Sequence, residues 1–138
     1  MARRLILDTT VLITAERGTM RLDAVIEDAD DVAIAAITAA ELLVGVELAD
    51  GAWRPAREEF VGDLLATIPV EDYNLEVARA HARLLAHVRR TGKPRGAHDL
   101  IIAATASATG RTVVTADSTG FDQLPDVAVL ESPSSEVK

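Results

Sequence analysis

Short apolar runs alternate with helical repeats along the chain. Leu5-Ile6-Leu7 closes on Asp8, followed by Thr9 and Thr10, which reads as a buried strand passing into a helix start. Val11, Leu12 and Ile13 fill the first turns of that helix, and a weaker helix is expected over about Met20 to Asp28. Val32 to Ile37 is a second strand, rich in Val, Ile and Ala. Thr38-Ala-Ala-Glu41 has the form of a capping box. It opens a helix carrying Leu42, Leu43, Val46 and Ala49 that stops at Asp50-Gly51. A helix from about Pro55 to Leu65 and a short third strand, Thr67 to Val70, come next. The longest helix, Leu75 to Arg90, sets Leu75, Ala78, Ala82 and Leu85 on one face. Thr91 to Gly96 is a loop by its Gly and Pro content. His98 to Thr109 is a helix ended by Gly110. Thr112 to Thr115 and Val127 to Leu130 are the fourth and fifth strands, and Ser132 to Lys138 is a polar, flexible tail.

Strands alternating with helices predict an α/β fold: one domain over residues 1–131, with a mainly parallel five-stranded sheet and helices on both faces. A length of 138 residues suits one domain with a core of its own. Two segments imitate membrane signals. Arg3-Arg4 before Leu5-Ile6-Leu7 resembles a signal peptide, but Asp8 interrupts it. Val32 to Ala49 is nearly long enough to span a bilayer, but Glu41 sits at its centre, where a charge costs about 3 kcal/mol. The expectation is a cytoplasmic protein with no membrane partner.

Composition removes several chemistries. There is no cysteine, so disulfides, thiolate metal sites and cysteine nucleophiles are excluded. Aromatics are 3% of residues, too few for rows of base-stacking rings. A net charge of −8 argues against a simple basic nucleic-acid clamp. It leaves room for an enzyme whose acids hold metal ions.

Four acids carry the chemical signal. Asp8 closes the first strand, Glu41 follows the second, Asp99 begins the helix after the Gly/Pro loop, and Asp117 follows the fourth strand. Each has a local explanation: helix cap, capping box, dipole complement, turn residue. Together they share a topology. In a parallel sheet the strand C-termini lie on one edge, where ligands bind, and all four acids can reach it. Two unit charges about 4 Å apart cost on the order of 4 kcal/mol at an effective dielectric of 20. A hard divalent cation offsets that repulsion, and an all-oxygen donor set suits Mg²⁺ or Mn²⁺.

The runs Leu-Ile-Leu-Asp8-Thr-Thr-Val-Leu-Ile, Thr38-Ala-Ala-Glu41-Leu-Leu-Val-Gly45, His98-Asp99-Leu-Ile-Ile-Ala-Ala-Thr-Ala and Val-Val-Thr115-Ala-Asp117 with Phe121 resemble the PIN-domain ribonucleases. The likeness is strongest to the VapC-type toxins of bacterial type II toxin–antitoxin pairs, and it spans about Leu5 to Leu130. It implies a three-layer sandwich and a Mg²⁺-dependent endoribonuclease site made of Asp8, Glu41, Asp99 and Asp117. It also implies a cognate antitoxin, a homodimer and a larger toxin–antitoxin assembly. Thr10 stands where the family often has Ser or Asn, and Ala116 where Asn is common; neither departure removes a carboxylate.

For the RNA substrate, Lys93 and Arg95 lead into Asp99, and Thr115 is a candidate contact to a phosphate or a metal ligand. Arg79, Arg83, His87 and Arg90 recur on one helical face, as a solvated face or an RNA contact. His98 is either a general base or a structural residue at a helix start. Trp53 and Phe60 suit satellite core or the edge of a partner groove. Aspartyl-phosphate chemistry is disfavoured, since Thr10 holds the place of the second Asp of a haloacid-dehalogenase-like site, and no receiver-type acidic pair is present. A non-enzymatic alternative is an α/β binding module whose acidic cleft captures a basic partner peptide.

Overall fold

The computed structural model describes residues 2–18 and 21–132. Its strands are β1 (Arg4–Leu7), β2 (Asp31–Ala35), β3 (Val70–Glu71), β4 (Thr112–Thr115) and β5 (Val129–Glu131). Its helices are α1 (Thr9–Glu16), α2 (Ala36–Leu48), α3 (Trp53–Thr67), α4 (Leu75–Thr91) and α5 (Ala97–Thr109). The strands form one sheet in the order β3-β2-β1-β4-β5, and every pair is parallel.

Alternation along the strands builds the three layers. Leu5 and Leu7 point into one core with Ile34, Val114 and residues of α1, α2 and α3. Ile6, Ala35 and Val113 point into the other, beneath α4 and α5. Leu5, Ile6 and Leu7 are wholly or almost wholly buried, worth about 2 kcal/mol each in transfer free energy. Helix α5 is terminated by Gly110, whose φ of 67° is a left-handed cap open to glycine at no steric cost.

The chain leaves β1 in one direction to lay down β2 and β3, then crosses to the other side of β1 for β4 and β5. The sheet therefore has a switch point between β1 and β4, where the connections diverge and leave a crevice at the strand C-termini. Asp8 and Asp117 follow those two strands.

Several boundaries differ from the sequence-based expectation. The capping box does not form. Helix α2 starts two residues before Thr38, capped by Ala35 with no side-chain bond; Thr38 is buried and Glu41 points elsewhere. The second strand accordingly ends at Ala35 rather than Ile37. Only a 3-10 turn, Leu22–Ala24, occupies the described part of the segment expected as a weak helix. The third strand lies at Val70–Glu71, because α3 continues through Thr67. On α4 the buried stripe is Val77, Ala80, Leu84 and Val88, whereas Leu75 is exposed and Leu85 only partly buried. Ser132 is buried and its N–H donates to the Thr115 carbonyl at 2.8 Å, so it extends the β5 edge; residues 133–138 of the expected tail lie outside the described residues.

The opposite end of the sheet is fastened by Arg111, itself 8% exposed. Its Nη1 donates to the carbonyls of Leu5 and Asp31 and to Asp31 Oδ1, and its Nε donates to Glu71 Oε2 at 2.9 Å. One guanidinium thus ties β1, β2 and β3 to the start of β4. Replacing Arg111 with Leu strands these acceptors, two of them on partly exposed carboxylates. We expect a loss of about 2–4 kcal/mol, read as a lower denaturation midpoint with an unchanged far-ultraviolet spectrum.

Candidate active site

Asp8 is 2% exposed and held on both oxygens. Oδ1 accepts the Thr9 N–H at 2.7 Å, capping α1. Oδ2 accepts the hydroxyls of Thr10 at 2.8 Å and Thr115 at 2.7 Å. Hydrogen bonds to a charged group contribute roughly 1.5–3 kcal/mol each, and the helix N-terminus adds favourable potential. The Ala116 N–H donates to the Thr10 hydroxyl at 3.1 Å, so position 116 enters this network through its backbone. Its lack of an Asn side chain removes no bond from it.

Asp99, in the first turn of α5, is half-buried. Its carboxyl group is pushed above the usual carboxylate range, first by burial and then by the charges of Asp8, Glu41 and Asp117; His98 opposes the shift. The other three predicted acids therefore all act electrostatically on Asp99. The side chain occupies a slot between two glycines. A Cβ on Gly96 would lie 3.3 Å from Asp99 Oδ2, and one on Gly120 would collide with that oxygen. These glycines were not singled out from the sequence. Their signal is faint: Gly96 closes the Gly/Pro loop, Gly120 lies between Asp117 and Phe121, and only the fold brings 96, 99 and 120 together.

Asp117 is exposed and caps the 3-10 turn Ser118–Gly120. The Thr119 hydroxyl (2.8 Å) and N–H (3.1 Å) donate to its Oδ1, which lowers its pKa from the ordinary value. Asp8, Asp99 and Asp117 line one cleft of about 410 Å³, with Thr10, Arg95 and Gly120 also on its wall.

Glu41 stands at the edge. Its Oε1 accepts the Thr9 hydroxyl at 2.7 Å, and its Oε2 lies 2.7 Å from His98 Nδ1, the ring N–H donating to the carboxylate. It lines a neighbouring, more apolar cavity of about 390 Å³ formed with Ile13, Leu42, Val44 and Val61. Among the described residues, no three Asp, Glu or His side chains form a ready-made metal cage.

Of the predicted RNA contacts, Arg95 lies on the cleft wall with Nη1 donating to the Thr119 carbonyl at 3.3 Å. Lys93 is exposed on the same loop. Of the two contacts read for Thr115, the structure shows the one to a candidate metal ligand: it is fully buried and its hydroxyl donates to Asp8 Oδ2, so it positions that carboxylate. His81 pairs on the surface with the Tyr73 hydroxyl at 2.8 Å.

The model of the PIN domain family matches residues 5–127. The chain belongs to the PIN domain family. Ribonuclease VapC5 of Mycobacterium tuberculosis is 38% identical over 130 residues, covering 91% of each chain. The solved VapBC-5 structure from that organism, a member of the VapBC family of toxin–antitoxin systems, aligns with a TM-score of 0.77 at 30% identity, over 94% of this chain and 98% of that one. VapBC2 of Rickettsia felis, solved bound to a promoter DNA fragment, shares the fold with a TM-score of 0.83 at 21% identity, over 94% and 99% of the two chains. The PIN domain thus accounts for the sheet order and for the edge at which the acids gather.

Because the Asp99 pKa is higher in the folded than in the unfolded chain, its ionisation opposes folding. The penalty is absent below the unfolded value, grows as pH rises from the unfolded to the folded value, and is complete above it. In EDTA at neutral pH, Asp99→Asn is therefore expected to melt above the parent protein. The gap should close as the pH is lowered through the carboxylate range; a variant melting below the parent at pH 7 contradicts the crowding.

Proposed function

We propose that this PIN domain is a Mg²⁺-dependent endoribonuclease, with Mn²⁺ as a substitute ion, and the toxin of a toxin–antitoxin pair acting in the cytoplasm. The observation that carries the reading is the half-buried Asp99, crowded by three other carboxylates at the switch point. It is supported by the 38% identity to a protein named as a ribonuclease. The donor set fits the ion in kind: carboxylate oxygens without thiols, three of them on one cleft wall.

The bound ion supplies charge for a phosphoryl oxygen and acidity for a water molecule. Asp8 and Asp99 are the principal ligands. Asp8 is preset by its two threonine hydroxyls, and Asp99 by the glycine slot. Asp117, kept anionic by Thr119, holds a second ion or the attacking water and is a poor proton acceptor. Glu41, at the edge beside Thr9 and His98, would share with Asp117 the holding of a second ion or of the attacking water. Arg95 and Lys93 offer positive charge to the RNA backbone at the mouth.

The antitoxin reading rests on the relative solved as a member of the VapBC family of toxin–antitoxin systems and on the cavity beside Glu41. That cavity continues across the Arg57–Glu16 ion pair, 2.8 Å, to a hollow lined by Trp53 and Phe60. Trp53 is 76% exposed and Val44 53%, so an apolar partner segment covers surface that water now meets. A basic side chain on that segment meets the acids next door. The same cavity favours a second reading, a non-catalytic module that captures a basic peptide. In the first reading a homodimer is the unit from which the larger assembly is built. Among the described residues no helix is long and apolar enough to cross a membrane.

Purified protein is expected to cleave RNA internally with Mg²⁺ and not with EDTA. Asp8→Asn and Asp99→Asn should each lower kcat/KM at least a hundredfold, about 3 kcal/mol of transition-state stabilisation. Mg²⁺ should raise the melting midpoint of the parent and not of Asp99→Asn. Undiminished cleavage by folded Asp99→Asn rejects the assignment; partner binding with no cleavage selects the second reading.

A further inference from the structure

Between Glu76 and Asp99 the chain has no carboxylate. These 22 residues hold Arg79, Arg83, Arg89, Arg90, Lys93 and Arg95, six of the 14 Lys and Arg in a protein of net charge −8. Among the described residues none of the six is in an ion pair. Arginines elsewhere, such as Arg3, Arg57 and Arg111, are paired with carboxylates. The segregation is spatial as well as sequential. Val77, Ala80, Leu84 and Val88 turn one side of α4 into the core. At 100° per residue, Arg79, Arg83 and Arg90 fall within about 40° of one another on the outer side, over a rise of about 16 Å. All three are exposed.

The C-terminus of α4 runs into the loop whose Pro94, Arg95 and Gly96 line the acidic cleft. The basic strip therefore ends where the carboxylates begin. Arg89 and Arg90 also complement the carbonyl end of the helix. Arg79 and Arg83 lie two to three turns from that end and gain nothing from it.

A polyanion approaching this molecule meets a net negative protein and, at its destination, four carboxylates. Both repel it. An unpaired cationic strip leading to the cleft offsets that repulsion locally and lowers the cost of delivering a phosphate to the acids. We infer that the outer face of α4 is a track for the RNA strand beyond the scissile phosphate, with Arg79, Arg83 and Arg90 contacting backbone phosphates and Lys93 and Arg95 joining the track to the cleft. This rests on the nuclease reading above and adds to it a footprint longer than the cleft. Charge density favours nucleic acid over an acidic protein segment as the occupant, because every nucleotide brings a phosphate.

The test separates binding from cleavage. In an Asp99→Asn background, fluorescence anisotropy is measured with a single-stranded RNA of about 20 nucleotides across a salt series. Adding Arg79→Gln, Arg83→Gln and Arg90→Gln keeps good helix formers on α4. It should weaken affinity at least tenfold and reduce the slope of log K against log salt by about 2, the value for three lost phosphate contacts on a single strand. Arg83→Gln alone should reduce it by about 0.7. With Asp99 restored, the triple variant should lose kcat/KM on the long RNA through KM, and cleave a trinucleotide as the parent does. Unchanged affinity and slope overturn the track. So does loss of antitoxin capture with RNA binding intact. Failure of the parent protein to cleave any RNA with Mg²⁺, while the slope still falls in the triple variant, overturns the nuclease reading and leaves the track standing.

Discussion

Like charges are gathered here where the fold has least freedom to separate them. Asp8 is buried at the end of the central strand, Asp117 follows its neighbour in the sheet, and Asp99 begins the helix that packs beneath. Relaxing the repulsion by moving Asp8 would break three hydrogen bonds and expose the core beside it. The repulsion is therefore carried by Asp99, whose pKa rises. It is relieved at the margins, where Thr119 satisfies Asp117 and where Thr9 and His98 satisfy Glu41.

That division of labour orders the site from rigid to adjustable. Asp8 has no remaining freedom. Asp99 is confined because neither Gly96 nor Gly120 brings a side chain to fill its slot. Asp117 and Glu41 sit at the rim, each held by groups that can exchange partners without disturbing the core. Such a gradient suits the cation and phosphate proposed above.

Electrostatics also separates the two ends of the sheet. At the N-terminal edge, Arg111 is buried against Asp31 and Glu71, and Arg4 is paired with Asp31, so charges there are matched and structural. At the C-terminal edge the acids outnumber their cationic neighbours, and among the described residues the cations of α4 have no carboxylate partners. A protein that only needed to fold would gain by pairing these groups. Among the described residues neither Asp8, Asp99 and Asp117 nor the cations of α4 are in an ion pair, which suits the substrate and ion proposed above.

Much of this was legible in the chain. Strand–helix alternation, the Gly110 stop and the boundaries of β4 follow from rules acting over a few residues, and those rules do not depend on what packs where. The order of four acids after strands and before a helix pointed to one sheet edge, because parallel topology leaves them few other places to go. Local rules failed where a residue has two partners to choose from. Thr38 and Glu41 read as a cap, yet α2 starts earlier, and Glu41 bonds to residues 32 and 57 positions away. Thr115 read equally as a contact to a phosphate or to a metal ligand, and only packing assigns its hydroxyl to a carboxylate 107 positions earlier. The slot formed by Gly96 and Gly120 could not be read at all, since a glycine has no side chain to declare its neighbour. The chain by itself determined which groups arrive at the edge. Tertiary packing decided which of them face the same space, because orientation and burial depend on partners that sequence order does not reveal.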